Sequence, residues 1–232
     1  MELVKLRTSN AYRKEKQRVL LEGYNCIQDV VKVHVPLRVF VTENCTKKLP
    51  VSCPTYVVTD EVMKKISSVK TPEGIVAEFS MPPMHTLSRM THIIVCDTVS
   101  DPGNLGTLIR TAYALGWEGI FLLEGSCDLF NDKALRAAKG ATFMLPWRRG
   151  SWEELSVLIA ENQLTLLVAD MKGEPPEHFS GKRVALLLGN EAHGIRGATS
   201  DYEKVAISMH GAIDSLNVAI AGAILMYTLR KQ

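Results

Sequence analysis

The chain has 232 residues, 46% of them hydrophobic and 22% charged, enough for one sizeable core or a core with a small satellite domain. Net charge is +2 but unevenly spread: residues 1–90 carry 14 Lys and Arg against 9 Asp and Glu, and residues 91–232 carry 13 against 16. Five scattered cysteines with no CxxC pair and six unclustered histidines argue against a disulfide framework and a metal site, and no apolar run approaches the ~20 residues that span a bilayer.

A soluble protein with reduced thiols is therefore expected, with no metal and no membrane segment. The first 30 residues are charged and lack the apolar stretch of a signal peptide. The expected location is the cytoplasm, or a mitochondrion or plastid if a transit peptide precedes this chain.

Residues 1–80 alternate helical and extended pieces. Ser9 and Asn10 are placed to cap a short basic helix, and 19–23 either ends that helix or begins a strand. Residues 25–32 are helix-like. The runs 37–41 and 56–58 read as strands, and Thr59 or Asp60 caps a helix to about 67. A loop at 68–74 leads to a strand at 75–79. The densest basic cluster is Arg13, Lys14, Lys16 and Arg18, which is either a patch for a polyanion such as RNA or a solvated helix face. The paired prolines 82 and 83 mark 81–90 as a linker, because they hold the chain extended.

From 91 the pattern is regular. Strands are expected at 92–96, 119–123, 142–145, 164–169, 184–188 and 204–207. Helices are expected at 105–115, 132–139, 152–161 and 215–230, the third opened by Ser151 with Glu154 as a capping box. Alternating strands and helices predict an α/β domain with a mostly parallel sheet covered on both faces.

Three stretches carry candidate chemistry. The first, Asp97 to Arg110, passes from a buried strand through Asp101-Pro102-Gly103-Asn104 into a helix. Strand, Gly-containing turn and helix suggest a phosphate-binding loop. Gly103 and Gly106 do not make G-x-G-x-x-G, however, and no Gly-Lys-Ser/Thr follows. Arg110 lies off the apolar face of Leu105, Leu108, Ile109 and Ala112, so its forked donors are free to serve an anion or to pair with a local carboxylate. The second, Leu186 to Ile195, is a strand running into a loop with Gly189, Glu191, His193 and Gly194. Loops at the carboxyl ends of parallel strands are where such sheets bind ligands. The third, Ile207 to Asn217, leads into a helix that is apolar nearly all round and rich in Ala and Gly. Such a helix must be buried. Asp214 or Ser215 is placed to cap it, and Asn217 in its first turn either helps to cap or, as a polar group in an apolar setting, needs a partner.

Together these stretches resemble the three motifs of the SpoU (TrmH-like) RNA ribose 2′-O-methyltransferases. Asn104, Gly106 and Arg110 match the first, Gly189, Glu191 and Gly194 the second, and Ser215, Leu216 and Asn217 the third. The resemblance covers about residues 91–230. Leu20-Leu21-Glu22-Gly23 and Thr71-Pro72-Glu73-Gly74 resemble the small ribosomal-protein-like RNA-binding domain that many members carry.

The resemblance implies a domain at 1–80 that binds the RNA substrate, a linker at 81–90 and a methyltransferase domain at 91–232 with a deep trefoil knot. It implies S-adenosylmethionine held largely by backbone around Leu188, Gly189, Ile207, Met209 and Leu216, and a homodimer. It further implies that Arg110 helps the ribose 2′-hydroxyl lose its proton, either as a base aided by the RNA phosphate or by binding that phosphate and orienting the hydroxyl. Asn104 and Asn217 hold Arg110 or the ribose, Ser215 shapes the same pocket, and Glu191 braces the second and third loops. The expected activity is 2′-O-methylation of ribosomal RNA. Transfer RNA as substrate, a non-catalytic RNA-binding member and an ordinary nucleotide-binding enzyme are the competing readings.

Overall fold

The computed structural model of the protein describes residues 2–189, 202–210 and 215–230. Contacts divide the chain into two units, one of Met1–Pro83 with Asp128–Met144, the other of Met84–Cys127 with Leu145–Gln232. The segment 128–144, placed in the second domain by sequence order, thus packs with the first unit.

The first unit runs α1 (Glu2–Thr8), α2 (Asn10–Lys16), β1 (Arg18–Glu22), α3 (Tyr24–Val30), β2 (Arg38–Thr42), β3 (Thr55–Val58), α4 (Asp60–Ile66) and β4 (Ile75–Ser80). Ser9 caps α2 and Thr59 caps α4, each accepting from the amide three residues on. The sheet order is β1-β4-β2-β3, with β4 antiparallel to both neighbours and β3 parallel to β2. Central β4 carries Glu78, fully buried and gripped from either side by Arg18 Nη1 at 3.1 Å and Arg38 Nε at 2.6 Å.

The second unit begins with β5 (His92–Cys96), α5 (Pro102–Ala114) and β6 (Gly119–Leu123). The chain then supplies α6 (Asp132–Ala138) to the first unit. It returns as β7 (Trp147–Gly150), α7 (Trp152–Asn162), β8 (Thr165–Glu174), β9 (Val184–Leu188), β10 (Glu203–Val205) and α8 (Val218–Leu229). The strand expected at 142–145 is instead a 3-10 turn, Ala141–Phe143. Gly140 turns the chain at φ 88°, and the strand starts beyond Pro146, which has no N–H to give a ladder.

The six strands run parallel in the order β10-β8-β9-β5-β6-β7. β5, β6 and β9 are buried at every residue, as a sheet covered on both faces requires. On one face Leu155 and Leu158 of α7 join Ile93, Val95, Phe121, Leu123, Ala185 and Leu187 in a single core. α8 packs along α5 and against β9. β9 lies between β5 and β8, and β10 returns beyond β8. The expected trefoil knot falls in part on residues 190–201 and 211–214, which lie outside the described residues. At Gly173 of β8 a Cβ would lie 2.5 Å from the backbone of Lys204 and Val205 in β10, at a register shift in the ladder. No helix among the described residues is long and apolar enough to cross a membrane.

Gly222 lies where α8 crosses the sheet. A Cβ there would meet Leu108 of α5 at 2.5 Å and Leu188 of β9 at 2.8 Å, both fully buried side chains. Gly222→Ala should cost about 1–3 kcal/mol by overpacking, read as a lowered denaturant midpoint with unchanged slope.

Candidate active site

The site begins where two helices start. Asp101, extended at φ −81° and ψ 118°, caps α5 by accepting from Asn104 N at 2.9 Å, and Pro102 fills the first turn. Asn217 caps α8, its Oδ1 accepting from Ala219 N at 3.0 Å and Ile220 N at 3.3 Å. The cap expected at Asp214 or Ser215 is thus corrected to Asn217. Ser215 is exposed and precedes the helix, and Asp214 lies outside the described residues. An Asn side chain reaches both orphan amides, which explains why the helix starts only at Val218.

With its oxygen committed to those amides, the Asn217 amide nitrogen points outward. It donates to Asn104 Oδ1 at 3.1 Å. This bond joins the first sequence motif to the third across 113 residues of chain. The two helix N-termini, each carrying a partial positive charge, therefore sit side by side at the sheet's carboxyl edge. Arg110 is exposed two turns along α5, while Leu105, Leu108, Ile109 and Ala112 are buried as the spacing predicts. It makes no ion pair among the described residues.

The residues expected to hold a cofactor share this edge. Leu188 ends β9, and its carbonyl accepts from Asp97 N at the end of β5 at 2.9 Å. Gly189 follows it, half-buried. Ile207 and Leu216 are half-buried, Met209 is exposed, and all three lie in backbone that is neither helix nor strand. Apolar side chains and irregular backbone at a strand edge suit a purine ring with a short polar tail. These residues thus fit S-adenosylmethionine. Glu191, like His193 and Gly194, lies outside the described residues. No group of three or more His, Cys, Asp or Glu is placed to hold a metal among the described residues.

Within the first unit the basic cluster separates. Arg13 is 3% exposed, its Nη1 donating to the carbonyls of Leu6 and Arg7 at 2.7 and 2.8 Å and its Nη2 to Asp128. Its role as a surface RNA contact is corrected, since a guanidinium with these partners is a structural pin. Arg18 serves buried Glu78 and remains partly exposed. Lys14 and Lys16 face solvent, and the Lys16 and Lys5 ammonium groups each lie 5.6 Å from the Tyr12 ring. Tyr24 and Lys47 form a second such pair at 5.2 Å. The sequence reading missed both tyrosines, although Tyr12 directly precedes the cluster.

Family models match both parts of the chain: the SpoU rRNA Methylase family over residues 91–227 and the MRM3-like substrate binding domain over residues 1–77. The chain is 31% identical over 225 residues to the 23S rRNA (guanosine(2553)-2'-O)-methyltransferase RlmP of Bacillus subtilis, covering 94% of this chain and 90% of that protein. An AdoMet-bound rRNA methyltransferase from Sinorhizobium meliloti superimposes with a TM-score of 0.85 at 26% identity, covering 98% of this chain and 92% of that one. The SpoU methyltransferase AviRb of Streptomyces viridochromogenes, in complex with AdoMet, shares the fold with a TM-score of 0.88 at 23% identity, covering 98% and 95% of the two chains. The chain belongs to the SpoU rRNA methylase family. It is an RNA ribose 2′-O-methyltransferase, and its methyl donor is S-adenosylmethionine.

The Asn217 bond separates two roles that a substitution can divide. Asn217→Ser keeps a good helix cap but is too short to reach Asn104, so stability should fall by less than about 1 kcal/mol. Methyl transfer should fall about tenfold or more. Thermal unfolding and single-turnover kinetics on the same preparation measure the two.

Proposed function

We propose that this enzyme methylates the ribose 2′-hydroxyl of a single nucleotide in ribosomal RNA, the first unit holding the RNA and the second carrying the chemistry. The observation that carries the reading is the Asn217–Asn104 bond, which ties the third motif to the first beside Arg110's helix. A family match to a substrate-binding domain over 1–77 and two bacterial relatives that act on rRNA support the choice of RNA. Lys14 and Lys16, with Tyr12 between Lys5 and Lys16, and the partly exposed Arg18 suit a phosphate backbone with unstacked bases. Five free cysteines fit work in a reducing compartment, the cytoplasm or an organelle interior.

When bound, S-adenosylmethionine would supply an electrophilic methyl group to the ribose oxygen. Leu188, Gly189, Ile207, Met209 and Leu216 would hold it at the strand edge. The chain's further task is to aim a poor nucleophile and let its proton leave. A guanidinium keeps its own proton in proteins, so Arg110 does not serve as the base. It grips the neighbouring phosphate through its fork and turns the hydroxyl into line, and the proton passes to phosphate or water. Asn104, fixed by Asn217, orients the ribose. Ser215 shapes the same pocket.

The enzyme works as a homodimer. α8 buries Val218, Ala219, Gly222, Leu225, Met226 and Leu229, yet it exposes Ile220, Ile224 and Tyr227 one helical turn apart. An apolar stripe on a helix already buried on its other side fits a second copy of the chain.

Arg110→Lys keeps the charge and loses the fork. Its methylation rate should fall at least about tenfold while calorimetric S-adenosylmethionine binding stays unchanged; full activity would refute the orienting role. Cells lacking the gene should lose one 2′-O-methyl mark in rRNA, whereas loss of a tRNA mark would refute the rRNA assignment. Light scattering should give twice the 25.7 kDa chain mass, and Ile224→Glu should return it to the chain mass.

A further inference from the structure

The turn between β5 and α5 contains a residue in an unfavourable conformation. Thr98 has φ 54°, in the left-handed region that a β-branched side chain rarely enters, and it is 8% exposed. Such a residue persists only where its surroundings over-determine it. Thr98 lies three residues before Asp101, the cap that holds Asn104.

The surroundings that hold it come from the loop after β6. Ser126 Oγ donates to Cys96 O at 2.9 Å, and Cys127 N donates to Val99 O at 3.0 Å. The two bonds bracket Asp97 and Thr98 from either side. Gly125, at φ 94°, lies under the Thr98 methyl, and a Cβ there would be 3.0 Å from it. That loop is itself held from the neighbouring strand. Arg149 of β7 donates from Nη1 to Ser126 O at 3.0 Å and from Nη2 to Cys127 O at 2.8 Å. Arg149 stands opposite Leu122 in the ladder, so it reaches over the carboxyl end of β6 onto the two residues whose other polar groups hold the first motif.

We propose that Arg149 is a positioning residue for methyl transfer: its fork fixes Ser126 and Cys127, and these lock the strained Thr98 turn that sets Asp101, Asn104 and Arg110 in place. Two parallel N–H donors on two successive carbonyls need a planar fork, which an ammonium does not provide. The role rests on the enzyme reading above for its kinetic arm and on geometry alone for its exchange arm.

The test compares Arg149→Lys and Arg149→Met with the wild-type full chain. Single-turnover methylation should slow about 10–100-fold in both, with the KM for RNA and its salt dependence within about twofold of wild type. Hydrogen exchange should quicken in peptides spanning 97–104 and stay unchanged in 184–188 and in the first unit. A raised KM for RNA with the rate retained would make Arg149 an RNA-contacting cation and overturn the proposal, as would unchanged exchange at 97–104. If neither variant folds, Ser126→Ala, which removes only the bond to Cys96, decides by the same two readouts. A wild-type chain that methylates no RNA would count against the enzyme reading, and the exchange result would still judge the lock.

Discussion

The missing side chain at Gly222 determines how closely the last helix approaches the sheet. Glycine costs a helix interior about 1 kcal/mol relative to alanine, so its place in the middle of α8 must be offset by packing. Here α8 settles onto Leu108 and Leu188 together, and so touches the helix of the first motif and the strand of the second. The far end is pinned by the Trp117 indole nitrogen, which donates to Met226 O at 3.1 Å. With middle and end fixed, the first turn of α8 has little freedom, and Asn217 meets Asn104. The geometry of the site is thus a consequence of helix seating. Asn104, Leu188 and Asn217, far apart in sequence, share one edge because one helix lies flat against the other two elements.

Much of this was readable from the residues. The uninterrupted apolar runs gave β5, β6 and β9 at their observed bounds, and the spacing of Leu105, Leu108, Ile109 and Ala112 gave the buried face of α5. Capping residues were legible where a short polar side chain preceded a periodic run, as at Ser9, Thr59 and Ser151. The errors have local causes. Thr142 to Leu145 has strand composition, but Gly140 and Pro146 on either side confine it to a single turn. Ser215 has the chemistry of a cap, and only the path of the chain gives the role to Asn217. The placement of Arg149 was hidden by the same misread strand, because a residue outside the sheet cannot brace its edge.

Charge misled in a more general way. Lys and Arg in sequence count donors, and folding decides which of them meet solvent. Arg13 turns inward onto carbonyls and Asp128, and Arg18 and Arg38 close on the buried Glu78 carboxylate. The positive field that the first unit offers a polyanion is therefore smaller and more localised than its composition suggests. Two of the sites that remain are organised around aromatic rings, at Tyr12 and Tyr24, where a cation and a stacking surface occur together.

The packing of 128–144 into the first unit bears on how the protein is made. Arg13 waits for Asp128, Phe79 for the ring of Phe143 at 5.3 Å, and His34 for the Phe143 carbonyl at 3.0 Å. During synthesis the amino-terminal unit cannot complete its core when residue 83 leaves the ribosome. It must stay unfinished while β5, α5 and β6 emerge, some 60 residues later, at roughly 5–20 residues per second. The two units are consequently not beads made one after the other. A graft of the amino-terminal unit onto another member of the family would have to carry this internal segment with it.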